Sequence, residues 1–211
     1  MFKKKYQFLK RSSSFTKQSL RLEFSNCIDE QKVSDLSNTL SNYTELQTLV
    51  LDLTQNEIGH LGAQCLAQML TKFTKLQNLK LELSHNNIGI EAGLMITSGL
   101  SNFTSLKNLS LNISQYQVCD EVLLSLGSSL LNINNLSTLN LFFFRNAITD
   151  IGVLNLCPAI EKFTNLIELT LDFYLNEIST YQSKKFKRII TQMKKLVKKV
   201  ISCYGIVNDQ Q

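Results

Sequence analysis

The sequence predicts an α/β right-handed solenoid. It would have a parallel sheet on its concave side, helices on its convex side and about six stacked repeats. Three observations carry this expectation. A leucine pattern recurs at an interval of 30 residues along the chain. Within each copy the apolar period changes from two residues to about 3.6. The chain has 211 residues, 44% of them hydrophobic, with a mean hydropathy of −0.02. That suits a folded core, and no apolar run approaches the ~20 residues that cross a membrane.

The copies can be taken in order. The first holds Leu20, Leu22, Phe24, Asn26 and Ile28 and stands one residue short of the interval. Leu49, Leu51, Leu53, Asn56 and Ile58 form the second, and Leu79, Leu81, Leu83, Asn86 and Ile88 the third. The strand parts of the last three are Leu109, Leu111, Ile113; then Leu139, Leu141, Phe143; then Leu169, Leu171, Phe173. Alternation of this kind marks a half-buried strand.

Downstream of each strand come apolar residues at helical spacing. Leu36, Leu66, Ile96, Leu126, Leu156 and Phe186 form one column. Leu40, Leu70, Leu100, Leu130, Ile160 and Ile190 follow four residues later, one turn along the same helix face. Tyr43, Phe73, Phe103, Ile133, Phe163 and Met193 close each unit. A helix between successive strands makes those strands parallel and the crossovers right-handed.

The pattern Leu76, Leu79, Leu81, Asn86, Ile88, with Gly62 and Gly152 near helix starts, resembles the leucine-rich repeat proteins of the ribonuclease-inhibitor-like subclass. The resemblance covers roughly residues 15–200. It implies that Asn26, Asn56, Asn86, Asn146 and Asn176 form a ladder of side-chain hydrogen bonds to the backbone of neighbouring turns, since an amide both donates and accepts. Departures from the family pattern carry their own expectations. The extra alternation at Leu53, Leu83, Ile113, Phe143 and Phe173 suggests a strand about two residues longer than the family's. Tyr116 in the Asn column and Val122 in the Gly column predict an irregular loop. Pro158 should kink or shorten its helix.

The sequence holds no P-loop, GxSxG, HExxH, GxGxxG or protein-kinase motif. Its two histidines, His60 and His85, have no repeated acidic or nucleophilic partner spacing. The five cysteines (Cys27, Cys65, Cys119, Cys157, Cys203) are scattered without a CxxC or Cys/His pairing, as free thiols of a reducing compartment would be. No catalytic residue, metal site or cofactor is expected, and no small-molecule substrate.

What remains is surface. Three outward columns alternate with the leucines. They are Arg21, Val50, Lys80, Ser110, Asn140, Thr170; then Glu23, Asp52, Glu82, Asn112, Phe142, Asp172; then Ser25, Thr54, Ser84, Ser114, Phe144, Tyr174. By the resemblance, this concave face is the partner-binding surface. Phe142, Phe144 and Tyr174 form an aromatic cluster, and Asp52, Glu82 and Asp172 supply acidic groups. These six are the candidate partner-binding residues. Two readings of the rings stand side by side: a partner site, or rings covered by the C-terminal segment or by another molecule in a crystal or oligomer. The run from Leu141 to Phe144 also leaves the register open.

The net charge of +5 is unevenly spread. Residues 1–21 hold seven basic groups and no acid, and residues 22–183 hold seven basics and 16 acids. Residues 184–211 hold eight basics and one acid. The chain divides into a basic arm (1–14), the repeat array (15–183) and a basic capping helix with a tail (184–211). Phe186, Ile189, Ile190, Met193, Leu196 and Val197 line one stripe of a helix expected over 184–199, as a terminal cap requires. Nucleic-acid or anionic-membrane contact through the basic ends is the competing reading. The start of the chain lacks the apolar core of a secretory signal, and its acid-free, Ser-containing composition faintly resembles a transit peptide.

The leading function is a non-enzymatic scaffold that binds a partner protein on its concave face, in the cytoplasm or elsewhere inside the cell. One alternative is a regulator of a small GTPase, from similarity to the Ran GTPase-activating protein. Another is the repeat fragment of a larger kinase-containing protein.

Overall fold

The computed structural model describes residues 14–15, 18–24, 26–115 and 118–203. Strand β1 (Ser14–Phe15) pairs antiparallel with β2 (Ser19–Glu23). Helix α1 (Glu30–Leu40) leads to β3 (Thr48–Asp52), then α2 (Gly59–Leu70) and β4 (Asn78–Glu82). Next come α3 (Gly89–Gly99), a 3₁₀ turn at Leu100–Asn102, β5 (Asn108–Asn112) and α4 (Asp120–Leu130). The chain goes on through β6 (Thr138–Phe142), α5 (Asp150–Lys162), β7 (Glu168–Asp172), α6 (Thr180–Thr191) and β8 (Lys198–Ser202). One sheet runs in chain order from β1 to β8, and β2 to β8 are parallel.

The register is set by the leucines. Leu49 lies opposite Leu79, Leu79 opposite Leu109, Leu109 opposite Leu139 and Leu139 opposite Leu169. A shift of one residue would turn every leucine to the other face, so burial locks the register. The inward strand residues Leu20 to Leu171, and the helix columns from Leu36 to Ile190, belong to one continuous core. Strands stand about 4.8 Å apart and packed helices about 8–10 Å apart, so the helix layer must take the outer, longer arc.

The turn from strand to helix alternates exposed residues (Gln55, Glu57, His85, Asn87) with buried ones (Asn56, Ile58, Asn86, Ile88). The peptide groups on its buried side are therefore satisfied by protein rather than water. Asn56 Oδ1 accepts from the N–H of Cys27 and of Ile28 (3.0 and 2.9 Å), and its Nδ2 donates to the Phe24 and Leu53 carbonyls (3.0 and 2.8 Å). Asn86 accepts from Asn56 N–H and donates to Leu53 and Leu83. Asn146 and Asn176 repeat the pattern. Asn26 is a correction. It sits six residues after Leu20, in the place of Gln55, His85, Gln115, Arg145 and Leu175, and shares their positive φ (51° against 54–67°). Cys27 takes the rung position and donates to Asn56. The residue missing from the first copy is thus lost after Cys27, not before Asn26.

Other expectations change as well. The strands end at Asp52, Glu82 and their counterparts, yet the inter-strand bonds continue: Leu53 N–H donates to Glu82 C=O and Gln55 N–H to Ser84 C=O, both at 2.9 Å. The extra alternation is a hydrogen-bonded lip beyond a five-residue strand. Pro158 does not shorten its helix: α5 is the longest of the six described helices, at 13 residues. Pro158 and Leu154 are both exposed, so the carbonyl freed by the missing N–H is on the solvent side. Val122 is fully buried and packs over Gly93 of the preceding helix. Tyr116 lies outside the described residues.

The helix predicted over 184–199 begins earlier and stops earlier. α6 ends at Thr191, and Lys198–Ser202 is a seventh parallel strand, β8. Met193 and Leu196 close the unit as loop residues against the core, and Val197 is 84% exposed.

Asn86→Ala should lower the unfolding free energy by about 2–3 kcal/mol, because it orphans buried carbonyls and an amide. His85→Gly, at an exposed left-handed position, should raise it by about 0.5–1 kcal/mol. Urea midpoints measure both.

Candidate functional site

Alternation along each five-residue strand turns the leucines inward and leaves the intervening side chains on the opposite, concave face. On β6, Leu139 and Leu141 are buried while Phe142 stands half-exposed. The register of the four-residue apolar run is thereby settled. Phe143 points inward, fully buried, stacked on Phe173 with centroids 5.5 Å apart. Phe144 stands on the outer face and stacks on Tyr174 at 6.0 Å with rings 14° from parallel. Tyr174 is 44% exposed. Phe142 lies in register between Asn112 and Asp172. The structure thus brings Phe142, Phe144, Tyr174 and Asp172 together over β6 and β7.

Asp52 and Glu82 are neighbours on β3 and β4. Asn112 separates them from the aromatic group, about two strand spacings or ~10 Å away. The six candidates therefore form two groups rather than one patch.

The acids also do structural work. Asp52 Oδ1 accepts from Thr54 N–H (3.0 Å), Asn112 Oδ1 from Ser114 N–H (3.1 Å) and Asp172 Oδ1 from Tyr174 N–H (3.0 Å). These short loops, closed two residues on, fix the lip that carries Phe144 and Tyr174. Glu23 pairs with Arg21 at 2.6 Å and Glu82 with Lys80 at 3.2 Å, so cations of the first column neutralise part of the second. Asp52 has no ion pair among the described residues.

A row at the strand starts escaped the sequence reading. Asn78 donates to Thr48 Oγ1 (2.9 Å), Asn108 to Asn78 Oδ1 (2.5 Å) and Ser137 to Asn108 Oδ1 (3.1 Å). Glu168 and Lys198 end this row as an ion pair at 2.6 Å. The signal was the residue just before the first leucine of each copy (Ser19, Thr48, Asn78, Asn108, Thr138, Glu168), polar in all of them, with Ser137 one place earlier making the bond in its copy.

The helix starts are tied by carboxylates. Asp120 accepts from the Thr149 hydroxyl and N–H (2.6 and 2.8 Å), and Asp150 from those of Ser179 (2.7 and 2.8 Å). A Cβ at Gly152 would run into the Asp120 carboxylate, which explains the glycine there. His60 lies 3.4 Å from Glu91 on the helix side, and His85 is exposed in its turn, so the two are on different elements. Burial pushes the thiols of Cys157 and Cys203 up to about 11, and burial with the neighbouring Glu121 raises Cys119. Such thiols are poor nucleophiles at neutral pH. The face offers shape, aromatic area and charge.

Residues 46–67 and 75–96 match the family model described as Leucine Rich repeat. Among solved structures, "Leiomodin-1 Actin-Binding Site 2 (ABS2)" is similar over 67% of this chain and 78% of that one, at 17% identity and a TM-score of 0.47. No curated protein matches the sequence. Two of the repeats thus match the family model, and the recurring strand–helix unit in one sequential parallel sheet is consistent with a leucine-rich-repeat solenoid fold. No helix among the described residues is long and apolar enough to cross a membrane.

In native protein at pH 8, Cys157 and Cys203 should be alkylated far more slowly than the half-buried Cys65, and all three should react alike in denaturant. Mass spectrometry of iodoacetamide-treated samples reads this directly.

Proposed function

We propose that this leucine-rich-repeat chain is a protein-interaction scaffold that holds a partner protein on the concave face, with Phe142, Phe144 and Tyr174 as the apolar anchor. One observation carries the reading. On the lip just past β6 and β7, Phe144 and Tyr174 are stacked and face outward, Tyr174 exposed and Phe144 half-buried. Preorganised aromatic rings bury large area at small entropic cost, which is why they dominate binding hot spots. Asp172 beside them and Asp52 and Glu82 farther along would favour a partner with basic groups flanking an apolar one. The full convex helices support placing the repeats in the ribonuclease-inhibitor-like subclass, and five unpaired cysteines support an intracellular site.

The test is affinity capture with wild type and the Phe142→Ala/Phe144→Ala double variant. The double variant should lose the captured partner while its stability falls by no more than about 2 kcal/mol. Retained capture with a large stability loss would assign the rings to the core instead. GTP hydrolysis by small GTPases should be unchanged by added protein; an acceleration would favour the activator reading.

A further inference from the structure

We infer that the β8 edge, together with the basic surface around it, is a second interaction site. It would take an extended acidic protein segment as an added strand. The site does not depend on the aromatic patch.

The first ground is the open edge. β8 pairs with β7, and no further strand pairs with it among the described residues. Lys198 N–H bonds to Ile167 C=O at 3.1 Å, and Ser202 C=O accepts from Phe173 N–H at 2.7 Å. In a parallel ladder the alternate residues face the other way, so the peptide groups of Lys199 and Ile201 are directed to the open side. Such an edge is a ready template for strand addition.

The second ground is charge. Residues 178–208 contain no Asp or Glu. Lys184, Lys185, Arg188, Lys194, Lys195, Lys198 and Lys199 are exposed within this stretch. Among the described residues, Lys198 is the one of these with an ion pair, to Glu168. The third ground is apolar exposure on this strand and at the residue just before it. Val197 and Val200 are 84% and 50% exposed, and Ile201 is only partly covered. Lys199 stands where Leu169 stands in the preceding strand, so the last layer has a lysine in the leucine column and a partly covered Ile201, while Cys203, Phe186 and Ile190 are buried. A segment with acids beside Lys198 and Lys199 and an apolar residue over Ile201 would complete both the ladder and the layer.

A second copy of this chain fits worse. Residues 1–21 hold seven basic groups and no acid, so end-to-end contact would set like charge on like charge. Lysines on an edge strand are also the usual guard against self-pairing.

The experiment titrates the full chain into a short fluorescein-labelled peptide alternating glutamate with valine and follows anisotropy. The acidic peptide should bind, while its lysine–valine counterpart and a version N-methylated on alternate amides should not. Lys199→Pro removes an edge donor that β7 does not use, and should weaken binding about tenfold. Lys199→Ala, which removes the charge alone, should weaken it about threefold. The Phe142→Ala/Phe144→Ala variant should bind as wild type does. Circular dichroism checks that Lys199→Pro is folded, and the N-methylated peptide decides the matter if it is not. The proposal fails if the acidic peptide does not bind, or if N-methylation leaves binding unchanged. It fails if phosphatidylserine vesicles or a single-stranded oligonucleotide bind more tightly than the peptide. Binding seen only in a variant ending at Cys203 would mean that the chain's own end fills the edge, and would also overturn it.

Discussion

A turn that passes beneath a sheet leaves peptide groups where water cannot reach them, and in this protein an asparagine amide satisfies them. Asn56, Asn86, Asn146 and Asn176 each accept from the preceding turn and donate to carbonyls of two successive strands. The amide offers two N–H donors and a separate carbonyl acceptor, more than a hydroxyl of similar size can. Each amide spans one unit, so it joins neighbours as well as closing its own turn. The leucine register, the capping of the next helix and the position of the lip all follow from turns held at that depth. An unmet group there would cost about 1–3 kcal/mol, comparable to burying a leucine.

The outer face inherits its character from that geometry. The carboxylates of Asp52 and Asp172 close the lip before they can meet anything else. Their placement therefore reflects a backbone requirement as well as surface chemistry. Phe144 and Tyr174 have no such duty. They face outward because Phe143 and Phe173 occupy the inward positions. The same residue type thus fills two roles on adjacent positions, separated only by the two-residue period of a strand.

Most of the fold was legible because the leucine columns repeat the same burial problem at a constant interval. Where reading failed, a local substitution hid the count. Asn26 looked like a rung because counting back from Ile28 masks the deletion after Cys27. Counting forward from Leu20 places it with Gln55 and His85 in the left-handed turn. The seventh strand was hidden by Lys199 in the leucine column, although Ile201 and Cys203 keep the next two inward positions thirty residues after Leu171 and Phe173. The apolar stripe from Phe186 to Val197 fits helical spacing by coincidence across the helix end at Thr191. At the site, the outward columns were readable from alternation. The carboxylate–amide bonds and the strand-start row needed coordinates, since they depend on which of several partners a short polar side chain reaches.

Lys199 has a dynamic consequence. In an array whose units touch mainly their neighbours, cohesion is a chain of interfaces, and opening starts at the weakest terminal link. The interface between β7 and β8 sets a lysine against Leu169, and Ile189 of α6 and Met193 in the loop after it are only partly covered. Amide exchange should therefore be fastest in β8 and α6 and slow progressively toward β3–β5, so the solenoid would unzip from its C-terminal end inward.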